Sequence, residues 1–191
     1  MGQRYQEIPE KQVEFIRRQK IFFAGTAGDD PRINVSPKGM DSLRMLSPTR
    51  LIWLTVTGSG NETAAHLLEN PRMTIMFCAF AGAPLILRIY GIATAVHPRD
   101  GTWTELYEQF DPLPGARRIF DMQVDLVQTS CGMAVPNLAY QEDRTLLSDW
   151  AKKQGFDGIQ EYWEQKNQIS LDGKPTRISA SRVWSDTDRL N

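Results

Sequence analysis

Between Ile21 and Val96 the chain alternates apolar, strand-forming runs with connections that, apart from the one holding the helical stretch Asn61–Glu69, are only a few residues long. A parallel crossover needs about a dozen residues or more, so connections this short predict hairpins. Ile21–Ala27 is apolar, and the turn cluster Gly28-Asp29-Asp30-Pro31 separates it from Arg32–Ser36, which alternates as a half-buried strand does. Leu43–Leu46 follows and closes at the turn Ser47-Pro48-Thr49. The most strand-like run is Arg50–Thr57, dense in β-branched and aromatic residues. Met73–Phe80 and Leu85–Val96 flank the turn Ala81-Gly82-Ala83-Pro84, with a bend expected at Gly91. Met122–Gln128 alternates once more.

Helical periodicity is confined to a few segments. Glu10–Lys20 follows Pro9 and sets Val13, Phe15 and Ile16 among charges. Asn61–Glu69 stops at Asn70-Pro71, and Thr102–Phe110 is a third short helix. After Gly132, Glu142–Lys153 and Asp157–Lys166 read as two helices, with a polar tail from Asp172. Six or so strands with short turns predict a mainly β, antiparallel barrel over residues 1–140. Residues 141–191 then form a helical C-terminal extension and tail of the same domain.

Composition excludes several functions. Basic and acidic residues nearly balance, 22 against 23, which speaks against a nucleic-acid partner. Long apolar stretches are missing, so neither a transmembrane helix nor a secretory leader is expected. Cys78 and Cys131 lie far apart, outside any C-x-x-C pattern, and suit a reducing cytoplasm as buried apolar groups. His66 and His97 are isolated from one another and from the cysteines, which gives neither a metal-ligand spacing nor a nucleophile–histidine arrangement. Arg117-Arg118 reads as a solvated basic pair, and Tyr162 and Trp163 as packing residues of a C-terminal helix.

Ligand chemistry concentrates in three places. The first is Thr57-Gly58-Ser59-Gly60-Asn61-Glu62-Thr63, which leaves a strong strand and opens a helix. Ser59 and Glu62 have capping-box spacing, and free amides at such a start, with the hydroxyls of Ser59 and Thr63, can hold a phosphate. A capped surface helix without a ligand remains the alternative on this motif alone. The same stretch approaches a dinucleotide fingerprint, but Thr63 stands where the third glycine belongs, the next strand ends without an acid, and the flanking strands are hairpins. The second place is Asn34-Val35-Ser36-Pro37-Lys38, a strand ending in one cation. The third is Arg88, between Ile86 and Tyr90 on one strand face, which must reach solvent or pair with an anion.

Together these segments resemble the pyridoxamine 5′-phosphate oxidase-like family of FMN-binding split barrels. The likeness is clearest over Phe15–Phe80 and weaker onward to about Gly132. It rests on element order: a helix, a hairpin ending in Val35-Ser36-Pro37-Lys38, the strand Arg50–Thr57, the loop into the helix ending at Asn70-Pro71, and the strand Leu87-Arg88-Ile89-Tyr90-Gly91. The resemblance implies a six-stranded antiparallel split barrel and a homodimer with FMN at the subunit interface. By position, Asn34, Val35, Ser36, Pro37 and Lys38 would face the flavin or its ribityl chain. Val56, Thr57, Ser59, Asn61, Glu62 and Thr63 would surround the phosphate, and Arg88 would cross beneath the cofactor. Ser130-Cys131-Gly132-Met133 and Trp163–Asp172 look like later segments of a subgroup, approaching the partner's flavin.

The sequence also departs from the vitamin B6 oxidase. Asn61-Glu62 replaces a basic pair, Ile86 replaces a glutamine, and the C-terminal arginine–histidine substrate motif is missing. The expected activity is therefore an FMN-dependent oxidoreductase with a small-molecule electron donor or substrate other than pyridoxamine phosphate. The alternative is a carrier or sensor that holds flavin, haem or a deazaflavin.

Overall fold

The computed structural model describes residues 2–29 and 32–179. Eight strands form one antiparallel sheet: β1 (Arg4–Tyr5), β2 (Phe22–Ala27), β3 (Ile33–Lys38), β4 (Leu43–Ser47), β5 (Arg50–Val56), β6 (Arg72–Cys78), β7 (Ile86–Val96) and β8 (Ala116–Ser130). Four helices accompany them: α1 (Glu10–Arg18), α2 (Glu62–Glu69), α3 (Trp103–Tyr107) and α4 (Leu146–Lys166). The order across the sheet is β3-β2-β6-β7-β8-β5-β4, with β1 paired to β8. Among the described residues β3 and β4 end this path without pairing to each other, so the sheet stays open.

The antiparallel class expected from the short connections is the one that forms. One strand, β1, adds to the runs read from the sequence, and β8 is longer than its expected run, so the sheet has eight strands where six were expected. β1 is two residues long, paired with Val127 and Gln128, and too short to carry any periodicity. β8 begins six residues before the expected Met122, because Arg117, Arg118 and Asp121 interrupt the apolar alternation that marks its later half.

The curled sheet has an apolar lining. Phe15 and Ile16 of α1 pack on Phe22, Trp53, Phe77, Leu87, Ile89, Phe120 and Met122. Trp53 is the aromatic hub, 5.8 Å from Phe22 and 4.9 Å from Phe120 between ring centroids. Ile52 and Leu54, on the other face of β5, pack with Val96, Ile119 and the α3 residues Trp103 and Leu106. β5 is thus buried on both faces, which explains its unbroken apolar run. At Gly91, where a bend was expected, β7 runs unbroken and the β7–β8 register shifts, with Asp125 of β8 as the extra residue.

The C-terminal helices differ from expectation at their start. Residues 142–145 are not helical, and α4 begins at Leu146. Gly155, at φ 64°, breaks α4 into the two helices expected. Cys78 is buried as anticipated, but Cys131 is exposed, since it lies just past the end of β8. No helix among the described residues is long and apolar enough to cross a membrane. Asp30 and Pro31 of the expected first turn, and residues 180–191 of the polar tail, lie outside the described residues.

Candidate functional site

The end of β3, the end of β5 and the first turn of α2 converge on a cleft of about 250 Å³. Register explains the meeting. β5 pairs with β8 so that Trp53 faces Phe120 and Thr55 faces Arg118, which puts these four side chains on one side of the sheet. Lys38 closes the mouth. Its ammonium lies 5.3 Å from the centroid of the Trp53 ring, a cation–π contact. Burial and the nearby Arg117 push the Lys38 pKa below its ordinary value, and Glu62 partly opposes them.

Seven of the sequence candidates line this cleft: Ser36, Pro37, Lys38, Val56, Asn61, Glu62 and Thr63. Asn34 stands just behind them, where its Nδ2 donates to Thr63 Oγ1 at 3.0 Å and its Oδ1 accepts from Ser36 at 2.9 Å. This bridge ties β3 to α2. Thr57 turns away from the cleft, accepting from Trp163 Nε1 at 2.7 Å and donating to the Gly115 carbonyl at 2.9 Å.

Three further candidates do not line this cleft either. Val35 points outward from the edge strand β3 and is 62% exposed. Ser59 is exposed and caps nothing; Asn61 is the N-cap residue, and the Glu62 carboxylate accepts the Asn61 amide at 3.0 Å. The expected capping box therefore keeps its acidic half and loses its serine. Arg88 faces away from the core residues Leu87 and Ile89 and donates to the Ser130 hydroxyl at 3.0 Å.

The residues that sequence reasoning misplaced are Arg117 and Arg118. Expected on a solvated face, they are 6% and 1% exposed and both line the cleft. Arg117 organises the loop between β5 and α2. Its Nη1 donates to Gly58 O, Asn61 Oδ1 and Asn167 Oδ1, and its Nη2 to Gly60 O at 2.7 Å. Asn167, fully buried, adds its own donation to Gly58 O at 3.0 Å. Asn61 Nδ2 reaches the Lys166 carbonyl at 3.0 Å. Trp163 and Asn167, within the segment expected near a partner's flavin, are fastened to Thr57 and Gly58 of their own chain. The detectable signal was the apolar company of Ile119 and Phe120, which marks a buried strand; Arg117 is the extra residue where the β5–β8 register shifts, so the alternation of faces is broken there and both arginines reach the cleft.

His97 borders the same region. It is 6% exposed, and burial together with the positive charges of Arg118 and Arg99 lowers its pKa to about 3. It is therefore neutral at neutral pH. His66 is buried and shares a 3.2 Å hydrogen bond with Thr26.

Solved structures with this fold include a HupZ protein from Group A Streptococcus, 15% identical, with a TM-score of 0.51 over 64% of this chain and 99% of that one. A protein of Lactobacillus delbrueckii assigned as a pyridoxamine 5′-phosphate oxidase is 18% identical, with a TM-score of 0.50 over 64% of this chain and 94% of that one. At such identities the likeness is one of fold. Sequence goes further. A pyridoxamine 5′-phosphate oxidase family protein of Aspergillus flavus, ustO, is 34% identical over 93% of this chain and 79% of its own length. The sequence profile of pyridoxamine 5′-phosphate oxidase matches residues 8–131, the span that holds every strand of the cleft and the start of α2. By fold and by sequence, the chain belongs to the pyridoxamine 5′-phosphate oxidase family.

Proposed function

We propose that this protein is an FMN-dependent oxidoreductase that acts as a homodimer on a small organic molecule other than pyridoxamine phosphate. The observation that carries this reading is the gathering of Lys38, Arg117 and Arg118 around one cleft floored by Trp53 and Phe120. One carboxylate, that of Glu62, lines the same cleft, and it is engaged by the Asn61 amide. A net positive pocket with an aromatic floor suits a ring system bearing a phosphate.

Bound there, FMN would supply two-electron redox chemistry through its ring. The chain would contribute position and charge. Lys38 would place a cation beside the ring, the Asn34–Thr63 bridge would hold the first turn of α2 in place, and Arg117 would keep the Gly58–Asn61 loop open. Trp53 and Phe120 would exclude water from one side of the pocket.

Dimerisation is supported by what the monomer leaves uncovered. Ile33 and Val35 stand 73% and 62% exposed on the edge strand β3, where unpaired backbone and apolar side chains coincide. A broad groove of about 1250 Å³ adjoins the cleft through Lys38, Gly39 and Met40, walled by α1, the 80–85 turn and the 138–147 segment.

Absorption spectroscopy and gel filtration of freshly purified protein test the reading. Flavin bands at one equivalent per chain, on a dimer bleached anaerobically by NADH or NADPH, are the expected result. Colourless protein that takes up no added FMN, or a haem spectrum, overturns it. Bound FMN that no donor reduces leaves a flavin carrier.

A further inference from the structure

Arg118 has no counter-ion among the described residues. Its side chain is 1% exposed, yet its Nε and Nη2 meet no hydrogen-bond acceptor there. The charges acting on it are those of Arg117 and Arg99, both positive. The Thr55 hydroxyl, across the strand pair, donates to the Arg118 carbonyl at 3.2 Å, and the Asp100 carboxylate accepts the His97 amide at 2.8 Å. His97 Nδ1 is buried without a partner as well. The other arginines here find acceptors: Arg117 through Nη1 and Nη2 in the Gly58–Asn61 loop and Asn167, with only its Nε unpartnered, and Arg99 in the carbonyls of Arg177 and Ile178.

Geometry sharpens the point. Nε and Nη2 are the two donors on one edge of the guanidinium, the edge that engages both oxygens of an oxyanion. Arg50 uses the same edge in this protein, its Nε and Nη2 meeting the two Asp121 oxygens at 3.0 and 2.8 Å. In Arg118 that edge is unoccupied and shielded from solvent, while the residue itself lines the cleft, so an anion would reach the two donors by displacing the side chains that cover them. A buried guanidinium without an acceptor is costly, and an anion delivered through the cleft removes the cost.

We propose that the inner end of the cleft, at Arg118, is a binding site for a phosphate or carboxylate group held bidentately by Nε and Nη2. The site stands on Arg118 and its neighbours alone and does not require the flavin reading. Its ligand is either the phosphate of a bound flavin nucleotide or the acidic group of an organic substrate.

The test is calorimetric titration of inorganic phosphate into flavin-free protein, native and Arg118→Met, with thermal melting in parallel. Native protein is expected to bind phosphate at least ten-fold more tightly than the variant and to melt higher in its presence. Arg118→Met should melt no lower than native protein in phosphate-free buffer, since the substitution removes a buried charge without a counter-ion. Equal phosphate binding by the two proteins, or no phosphate binding by native protein, overturns the proposal. Should Arg118→Met fail to fold, Arg118→Lys keeps a charge but loses the paired donors. Phosphate affinity unchanged in that variant overturns the bidentate site equally. Repeating the titration after FMN loading separates the sources. Phosphate excluded by FMN identifies the cofactor's own phosphate as the ligand. Phosphate still bound beside FMN, with acetate competing, identifies a substrate acid. A protein that never takes up FMN but binds phosphate through Arg118 upholds this site while refuting the flavin reading.

Discussion

Arg117 Nη1 and Asn167 Oδ1 lie 2.8 Å apart, joining the start of β8 to the residue that ends α4. Both side chains also bond the Gly58 carbonyl, so the loop that opens α2 is held from two directions by parts of the chain that follow it in sequence. The C-terminal extension is therefore part of the wall of the cleft.

Asn167→Ala should destabilise the protein by about 1–3 kcal/mol, because it leaves the Gly58 carbonyl and an Arg117 donor short of a partner in a buried place. Arg117→Met should cost at least as much. The double variant should cost less than the two single costs added together, since both disrupt one network. Urea unfolding of the four proteins measures this, and full additivity would show that the two residues act independently.

Lys38→Met should weaken FMN retention by about 10- to 100-fold, the loss of one charge-assisted contact. The volume is kept, so the Trp53 packing beneath should survive. Equilibrium dialysis against FMN reads the effect. Unchanged affinity and an unchanged flavin potential would remove Lys38 from the site.

His97 should make the protein acid-sensitive. Its native pKa of about 3 lies below the ordinary value of 6.5, so between those values the unfolded chain binds a proton that the native chain refuses. Stability is complete above pH 6.5 and should fall by about 1.4 kcal/mol for each pH unit below it, as far as His97 alone contributes. His97→Leu should flatten that part of the profile. Burial sets most of the shift, with Arg118, Arg99 and Arg117 adding to it and Asp100 opposing it, so denaturation from pH 7 down to pH 4 should be compared at constant ionic strength.

Gly91→Ala should destabilise the sheet by about 1–3 kcal/mol or more, as overpacking does. A Cβ at this position would stand 2.0 Å from the Gln123 carbonyl oxygen, where β7 closes against β8 beside the bulge at Asp125. Thermal melting reads the loss. A variant that melts with native protein would mean that the β7–β8 register can slide.

Much of this architecture is written in local pattern. Turn residues separated the runs from Phe22 to Val96, and the shortness of the turns dictated antiparallel pairing before any contact was known. The same local reading found the hairpin tip at Lys38 and the helix start at Asn61–Thr63, which the fold brings to one cleft. Arg88 shows the limit of that reading. The pattern required it to reach solvent or pair with an anion; in the fold it is half-buried and donates to the neutral Ser130 hydroxyl on β8.

What only the tertiary structure decided is where charge goes. A pair of adjacent arginines looks solvated because burying a guanidinium is costly, and nothing within a few residues of Arg117 and Arg118 offers compensation. The compensation for Arg117 comes from residues some fifty to sixty positions away in both directions, Gly58, Gly60 and Asn167. Local sequence determines which segments extend and where they turn, because backbone preference acts over a few residues. Register between β5 and β8 determines which side chains share a cavity, because that depends on packing the entire sheet at once.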